Sequence, residues 1–68
     1  MEKDWTPVYS TDKEYIAEMI KDILLDNEIQ SVVINKRDSS YISIGDIEIY
    51  VSKDDALKAR FLIEKMNS

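Results

Sequence analysis

The chain has 68 residues with no cysteine, no histidine, one glycine and one proline, which excludes disulfides, thiolate and imidazole metal sites and histidine acid/base chemistry. Nine basic and fourteen acidic residues give a net charge of -5, an unfavourable balance for approaching phosphate backbones or anionic lipid. No apolar run approaches a membrane span or a signal-peptide core, so the expectation is a single cytoplasmic domain over residues 1–68, contacting neither nucleic acid nor membrane.

Trp5 to Ser10 is a short β-prone run, and Pro7 within it suits a strand start or an edge. Thr11-Asp12-Lys13-Glu14 matches a capping box, in which Thr11 accepts an early helical N–H and Glu14 reaches back to the cap. A helix is predicted from there, with Ile16, Met19, Ile20, Ile23 and Leu24 on its core stripe and Ala17 and Glu18 away from it. Asn27 is the expected left-handed residue at its end.

Ser31 to Ile34 is β-branched and reads as a second, buried strand. After the polar stretch that follows, Tyr41 to Ile44 alternates and Ile47 to Val51 alternates again, with a change of phase across Gly45-Asp46. A glycine bulge within one strand and a tight hairpin both account for that change. The preferred reading is one working strand from Asp46 to Val51, with Tyr41 to Ile44 leading into it. Its isoleucines face the core and Glu48 and Tyr50 face away, joined by Tyr9 or Val33 according to register. Ser52 with Asp54 and Asp55 then caps a second helix, whose inner face is Ala56, Ala59, Ile63 and Met66, bordered by Leu62.

The order β-α-β-β-α describes an α+β fold: a two-layer ferredoxin-like sandwich lacking its final strand, with both helices on one side of a mainly antiparallel sheet. A chain this small buries only about 60% of its unfolded surface. The missing strand leaves a sheet face and an edge open to a protein partner or to a second copy. Tyr50 can offer area and a phenol on that face or pack against its strand neighbours. Leu57 and Phe61, an i,i+4 pair on the flank of the second helix, form a second candidate interface, unless Phe61 wraps round the sheet edge. Trp5 either caps the core or stays at a binding surface.

The polar stretch Lys36, Arg37, Asp38, Ser39, Ser40 and Tyr41 gathers cations, a carboxylate, hydroxyls and a phenol between two apolar runs. It is the first candidate site, for a partner carboxylate or for an anion, against the plainer alternative of a solvated turn held by local Ser and Asp bonds. Its residues form no nucleophile elbow and no glycine-rich phosphate loop, and the carboxylates match no calcium loop, so no catalytic residue, metal or cofactor is expected.

With these residues in place, the sequence resembles a family of small bacterial domains labelled "putative prokaryotic signal-transducing protein" and grouped with PII-like ferredoxin folds. The resemblance runs through Val8-Tyr9-Ser10, Ala17-Glu18, Leu24-Leu25, Asn27-x-Ile29 and Val32-Val33. It continues through Asn35 to Tyr41, Gly45 to Val51 and Asp55-Ala56-x-Lys58-Ala59. It implies the β-α-β-β-α order and a regulatory or adaptor role in signal transduction. The leading functional reading is a non-enzymatic interaction or regulatory module. A weak anion or nucleotide sensor built on Lys36 to Tyr41 is the alternative, and an enzyme has the least support.

Replacing Lys36 and Arg37 together by serine is expected to change recognition more than folding, because neither residue belongs to an apolar stripe. Thermal unfolding and partner affinity, measured side by side, check this; a large loss of thermal stability would assign the pair a structural role.

Overall fold

The computed structural model describes residues 4–36 and 46–67. Strand β1 (Trp5–Thr11) leads to helix α1 (Glu14–Asp26), then to strands β2 (Ser31–Asn35) and β3 (Ile47–Ser52), a 3-10 turn (Lys53–Asp55) and helix α2 (Ala56–Asn67). The three-stranded sheet has the order β1-β3-β2, and β3 runs antiparallel to both neighbours. It follows that β1 and β2 are parallel to each other with β3 inserted between them, the split β-α-β arrangement. Among the described residues no further strand closes the sheet, in keeping with a ferredoxin-like α+β sandwich that lacks one.

Alternation along β3 divides the molecule into its two faces. Ile47, Ile49 and Val51 are essentially inaccessible and pack with Ala17, Ile20 and Leu24 of α1 and with Ala59 and Ile63 of α2. Both helices therefore cover the same face of the sheet. Ile29, just before β2, completes this core. Truncating a fully buried isoleucine such as Ile49 to alanine removes transfer energy and leaves a cavity, at a cost of about 2–5 kcal/mol, a large part of the stability of any small domain.

The register settles which neighbours share each face. Val33 lies opposite Ile49 and Asn35 opposite Ile47, whereas Val32 lies opposite Tyr50 and Ile34 opposite Glu48. Residues directly opposite in an antiparallel pair point to the same face, so Val32 and Ile34 line the open face, where both are exposed; β2 is an outer strand and not the buried one expected, because the central place is taken by β3. This corrects the expectation that Val33 or Tyr9 would join Tyr50: both pack against the core instead. In β1 the register against β3 slips between Pro7 and Tyr9, making Val8 an extra residue. Both Val8 and Tyr9 consequently pack against the core, which strict alternation would forbid. The expected phase break at Gly45, and the lead-in strand Tyr41 to Ile44, lie outside the described residues.

The helix ends also differ from expectation. Thr11 is still paired in β1, opposite Ile47, and its Oγ1 accepts the Lys13 N–H at 3.1 Å, so α1 starts after Lys13 without a side-chain cap. On α1 the buried positions are Ala17, Ile20 and Leu24, so Ala17, expected away from the core stripe, belongs to the core, and Met19, expected on it, is exposed. The small Ala17 side chain brings the helix close to the sheet and turns Met19 to the flank. Ser52 does cap the second helical segment, accepting the Asp54 N–H at 3.3 Å, and a 3-10 turn intervenes before α2. Ala56, Leu62 and Met66 border the buried Ala59 and Ile63 as expected.

Helix α1 ends in a Schellman motif. The Ile29 N–H donates to the Leu24 carbonyl at 2.8 Å and the Glu28 N–H to the Leu25 carbonyl at 2.9 Å. Leu24 and Ile29 supply the hydrophobic contact that accompanies this closure. The left-handed position belongs to Glu28, at φ 62°, and not to Asn27, whose side-chain Nδ2 donates to the Ile23 carbonyl at 2.8 Å. A β-carbon in that region costs about 1–2 kcal/mol, and a carboxylate at a helix C-terminus faces the negative end of the dipole.

Replacing Glu28 by glycine is therefore expected to stabilise the protein by about 1 kcal/mol, a rise of about 4–8 °C in Tm for a domain of this size. Glu28→Gln isolates the charge contribution, and a melting temperature for Glu28→Gly no higher than that of Glu28→Gln would assign the gain to electrostatics alone.

Candidate functional site

The face of the sheet away from the helices carries the polar constellation of the described residues. Alternation places Glu48 and Tyr50 side by side on the central strand, and Lys36 follows β2 on the same face. The Lys36 N–H donates to the Asp46 carbonyl at 2.8 Å, which holds the end of β2 against the start of β3. The Tyr50 hydroxyl donates to Glu48 Oε1 at 2.7 Å, and Lys36 Nζ stands 3.1 Å from the same oxygen. One carboxylate oxygen thus serves both a phenol and an ammonium, a charge-assisted arrangement that fixes three side chains relative to one another.

Each group's protonation responds to this contact. The Tyr50 hydroxyl, with Lys36 second, holds the Glu48 carboxyl below the ordinary carboxylate range. Donation to Glu48, aided by partial desolvation, raises the Tyr50 phenol. The hydrogen bond and charge of Glu48 raise the Lys36 ammonium. The carboxylate's stabilising contribution is complete above its unfolded titration range and is lost as pH falls through its depressed folded value. The contributions of phenol and ammonium are complete below their unfolded ranges and are lost as pH rises through their raised values. Between these limits the cluster keeps one charge state.

Apolar surface flanks the cluster on one side. Val32 and Ile34 of β2 remain 41% and 40% exposed beside Tyr50 and Glu48. On the other side Pro7 and Ser10 of β1 lie opposite Tyr50 and Glu48. At the far end of β2, Trp5, Leu25, Ile29 and Val32 line an open groove of about 340 Å³. Trp5 is half-buried there.

Of the residues singled out by sequence, Lys36 and Tyr50 are brought together through Glu48. Arg37, Asp38, Ser39, Ser40 and Tyr41 lie outside the described residues. Leu57 and Phe61 belong to the helical layer, on the outer side of α2, where they are 84% and 61% exposed. The Lys65 ammonium stands 5.7 Å from the Phe61 ring centroid, within cation–π range. Sequence reading placed Glu48 on the open face without making it a site residue. The signal was the Glu-x-Tyr spacing on a strand, which puts a donor and a carboxylate on one face.

Among the described residues no group of three or more Asp, Glu, His or Cys side chains could hold a metal ion, and no helix is long and apolar enough to cross a membrane. The family model described as "Putative prokaryotic signal transducing protein" matches residues 5–67. No curated protein and no solved structure matches the chain.

Tyr50→Phe is expected to raise the Glu48 titration toward the ordinary carboxylate range, and by more than Lys36→Gln, since the 2.7 Å phenol contact is shorter than the 3.1 Å ion pair. Carbon-detected NMR titration of the Glu48 carboxyl measures both; a Glu48 titration unchanged in Tyr50→Phe would mean that the hydrogen bond is not populated in solution.

Proposed function

We propose that this chain, which belongs to the family described as "Putative prokaryotic signal transducing protein", is a non-enzymatic interaction module of the cytoplasm that binds a protein partner through the open face of its sheet. The observation that carries the reading is the Lys36–Glu48–Tyr50 cluster beside exposed Val32 and Ile34 on the face that the helices leave uncovered. Preset polar groups next to apolar area are what a protein interface uses: the aliphatic side chains exclude water, and the ordered phenol and carboxylate give direction. Tyrosine suits this position because it offers a large, rigid surface with a polar tip.

The whole chain acts as one small domain in this reading, and Arg37, Asp38, Ser39, Ser40 and Tyr41, which follow Lys36 in the sequence, are candidates for the same contact. The ion pair with Glu48 supports a protein partner over a free anion. An ammonium already bound to a carboxylate has less to offer phosphate, and the net charge of -5 repels it further. Lys36 and Arg37 are the only adjacent cations in the sequence, which likewise supports a reading without nucleic acid.

Affinity capture from a prokaryotic extract, followed by titration of the retained protein, tests the assignment. Tyr50→Ala and Val32→Glu are expected to weaken that affinity by more than about tenfold, whereas Leu57→Ala on the opposite layer leaves it unchanged. Equal affinity for wild type and both face variants would place recognition elsewhere, and loss only in Leu57→Ala would move it to α2.

A further inference from the structure

The outer sides of the two helices carry apolar surface that the core does not use. Tyr15 and Met19 on α1, and Leu57 and Phe61 on α2, are exposed, and each is an i,i+4 pair that forms one ridge along its helix. With Leu25 they make five of the seven large apolar side chains exposed among the described residues. The helical layer therefore has more such side chains to cover than the sheet has.

The two ridges stand among opposite charges. Helix α1 has four carboxylates against one lysine, and α2 has three cations against one carboxylate. Position sharpens the contrast. Lys21 stands on the β2 side of α1, in the groove with Trp5 and Val32, which leaves Asp22 and Asp26 near Tyr15 and Met19. On α2, Arg60 and Glu64 border Leu57 and Phe61 on the side toward Val8 and Tyr9 and offset each other. Lys58 and Lys65, the latter over the Phe61 ring, flank the ridge on the side toward α1. Asp22, Asp26 and Lys58 make no ion pair with any described residue.

The topology sets these groups at matching heights. Helix α1 starts where β1 ends, at Thr11 opposite Ile47, and α2 starts after β3 ends, at Ser52. The helices therefore run antiparallel, with Asp22 and Asp26 toward the end of α1 that is level with Leu57 and Lys58. A second copy turned about a two-fold axis parallel to the helices keeps each residue at its height and lays α1 of each chain on α2 of the other. Asp22 and Asp26 then meet Lys58, and Met19 meets Phe61, at two equivalent contacts. An axis across the helices would lay α1 on α1 and bring carboxylates together. Charge selects the first arrangement.

We propose that the helical layer is a homodimerisation surface, at which two copies pack face to face with α1 of each on α2 of the other. Two-fold self-pairing is the commonest form of closed assembly. The molecule is a slab of 33 × 33 × 15 Å, so its broad face suffices for the roughly 800 Å² per partner of a standard interface. Elsewhere the net charge of -5 sets copies against one another. The dimer does not rest on the partner-binding role of the Tyr50 face, because both open sheet faces point outward from it.

Sedimentation equilibrium of the wild-type chain over a concentration series is the first test. A reversible monomer–dimer equilibrium is expected; a monomer at every concentration up to about millimolar, or growth beyond the dimer, overturns the proposal. Asp22→Lys and Lys58→Glu each set like charges together at both contacts and are each expected to weaken the dimer by more than about tenfold. Mixing the two variants restores unlike charges at both contacts of the mixed pair, so the mixture should dimerise at concentrations where neither variant alone does. Circular dichroism confirms that each variant is folded. A wild-type dimer indifferent to both substitutions, or a mixture that recovers nothing, is built on another surface and overturns the assignment to the helices. Retained capture of a partner by a strictly monomeric chain would leave the open-face role standing while the dimer falls.

Discussion

Every feature of this protein passes through the two-residue alternation of β3. It is the central strand, hydrogen-bonded on both sides, so its register orients β1 and β2 at once. Its odd positions, Ile47, Ile49 and Val51, are the floor on which both helices pack, and its even positions, Glu48 and Tyr50, carry the polar cluster. The site is consequently as well placed as the core is packed. A slip of one residue would bury a carboxylate and a phenol and expose three β-branched side chains, so the burial energy of the core also holds the polar cluster outward.

The two outer strands of the described sheet differ in regularity. Val8 adds a side chain to the core at the cost of a regular β1 edge, and Pro7 beside it removes a donor. Strand β2, joined to α1 by the tight Schellman turn, is regular to its end. In a chain this small, the bulge improves coverage of a thin core and blunts an edge with the same residue.

The elements themselves were legible because they rest on local chemistry. The β-branched run of β2, the alternation of β3, the Ser52 cap and the alanine face of α2 each act over a few residues, and each was found where the sequence indicated. The misplacements share a cause. Thr11 and Asn27 have side chains suited to caps, but Thr11 is claimed by pairing with Ile47, and the left-handed position falls one residue later, on Glu28, because Leu24 and Ile29 meet in the core. Met19 was placed on the helical stripe and Ala17 off it, yet Ala17 is buried and Met19 exposed. Only the separation of α1 from the sheet chose the smaller side chain for the interior. Of the site, Tyr50 and Lys36 were visible as residues, while their meeting on one oxygen of Glu48 was not, since Lys36 comes from the end of a different strand.

By itself the sequence determined the class of molecule: a small acidic chain without cysteine or histidine, with β-α-β-β-α periodicity and a central strand of two opposite faces. These follow from composition and from periods that the backbone imposes within each segment. Tertiary structure alone decided the β1-β3-β2 order, the slip at Val8, the exchange of Val33 for Val32 on the open face and the union of Lys36, Glu48 and Tyr50. Each of these depends on the register between segments distant in sequence, and register is chosen by the packing of the whole core rather than by any residue's own preference.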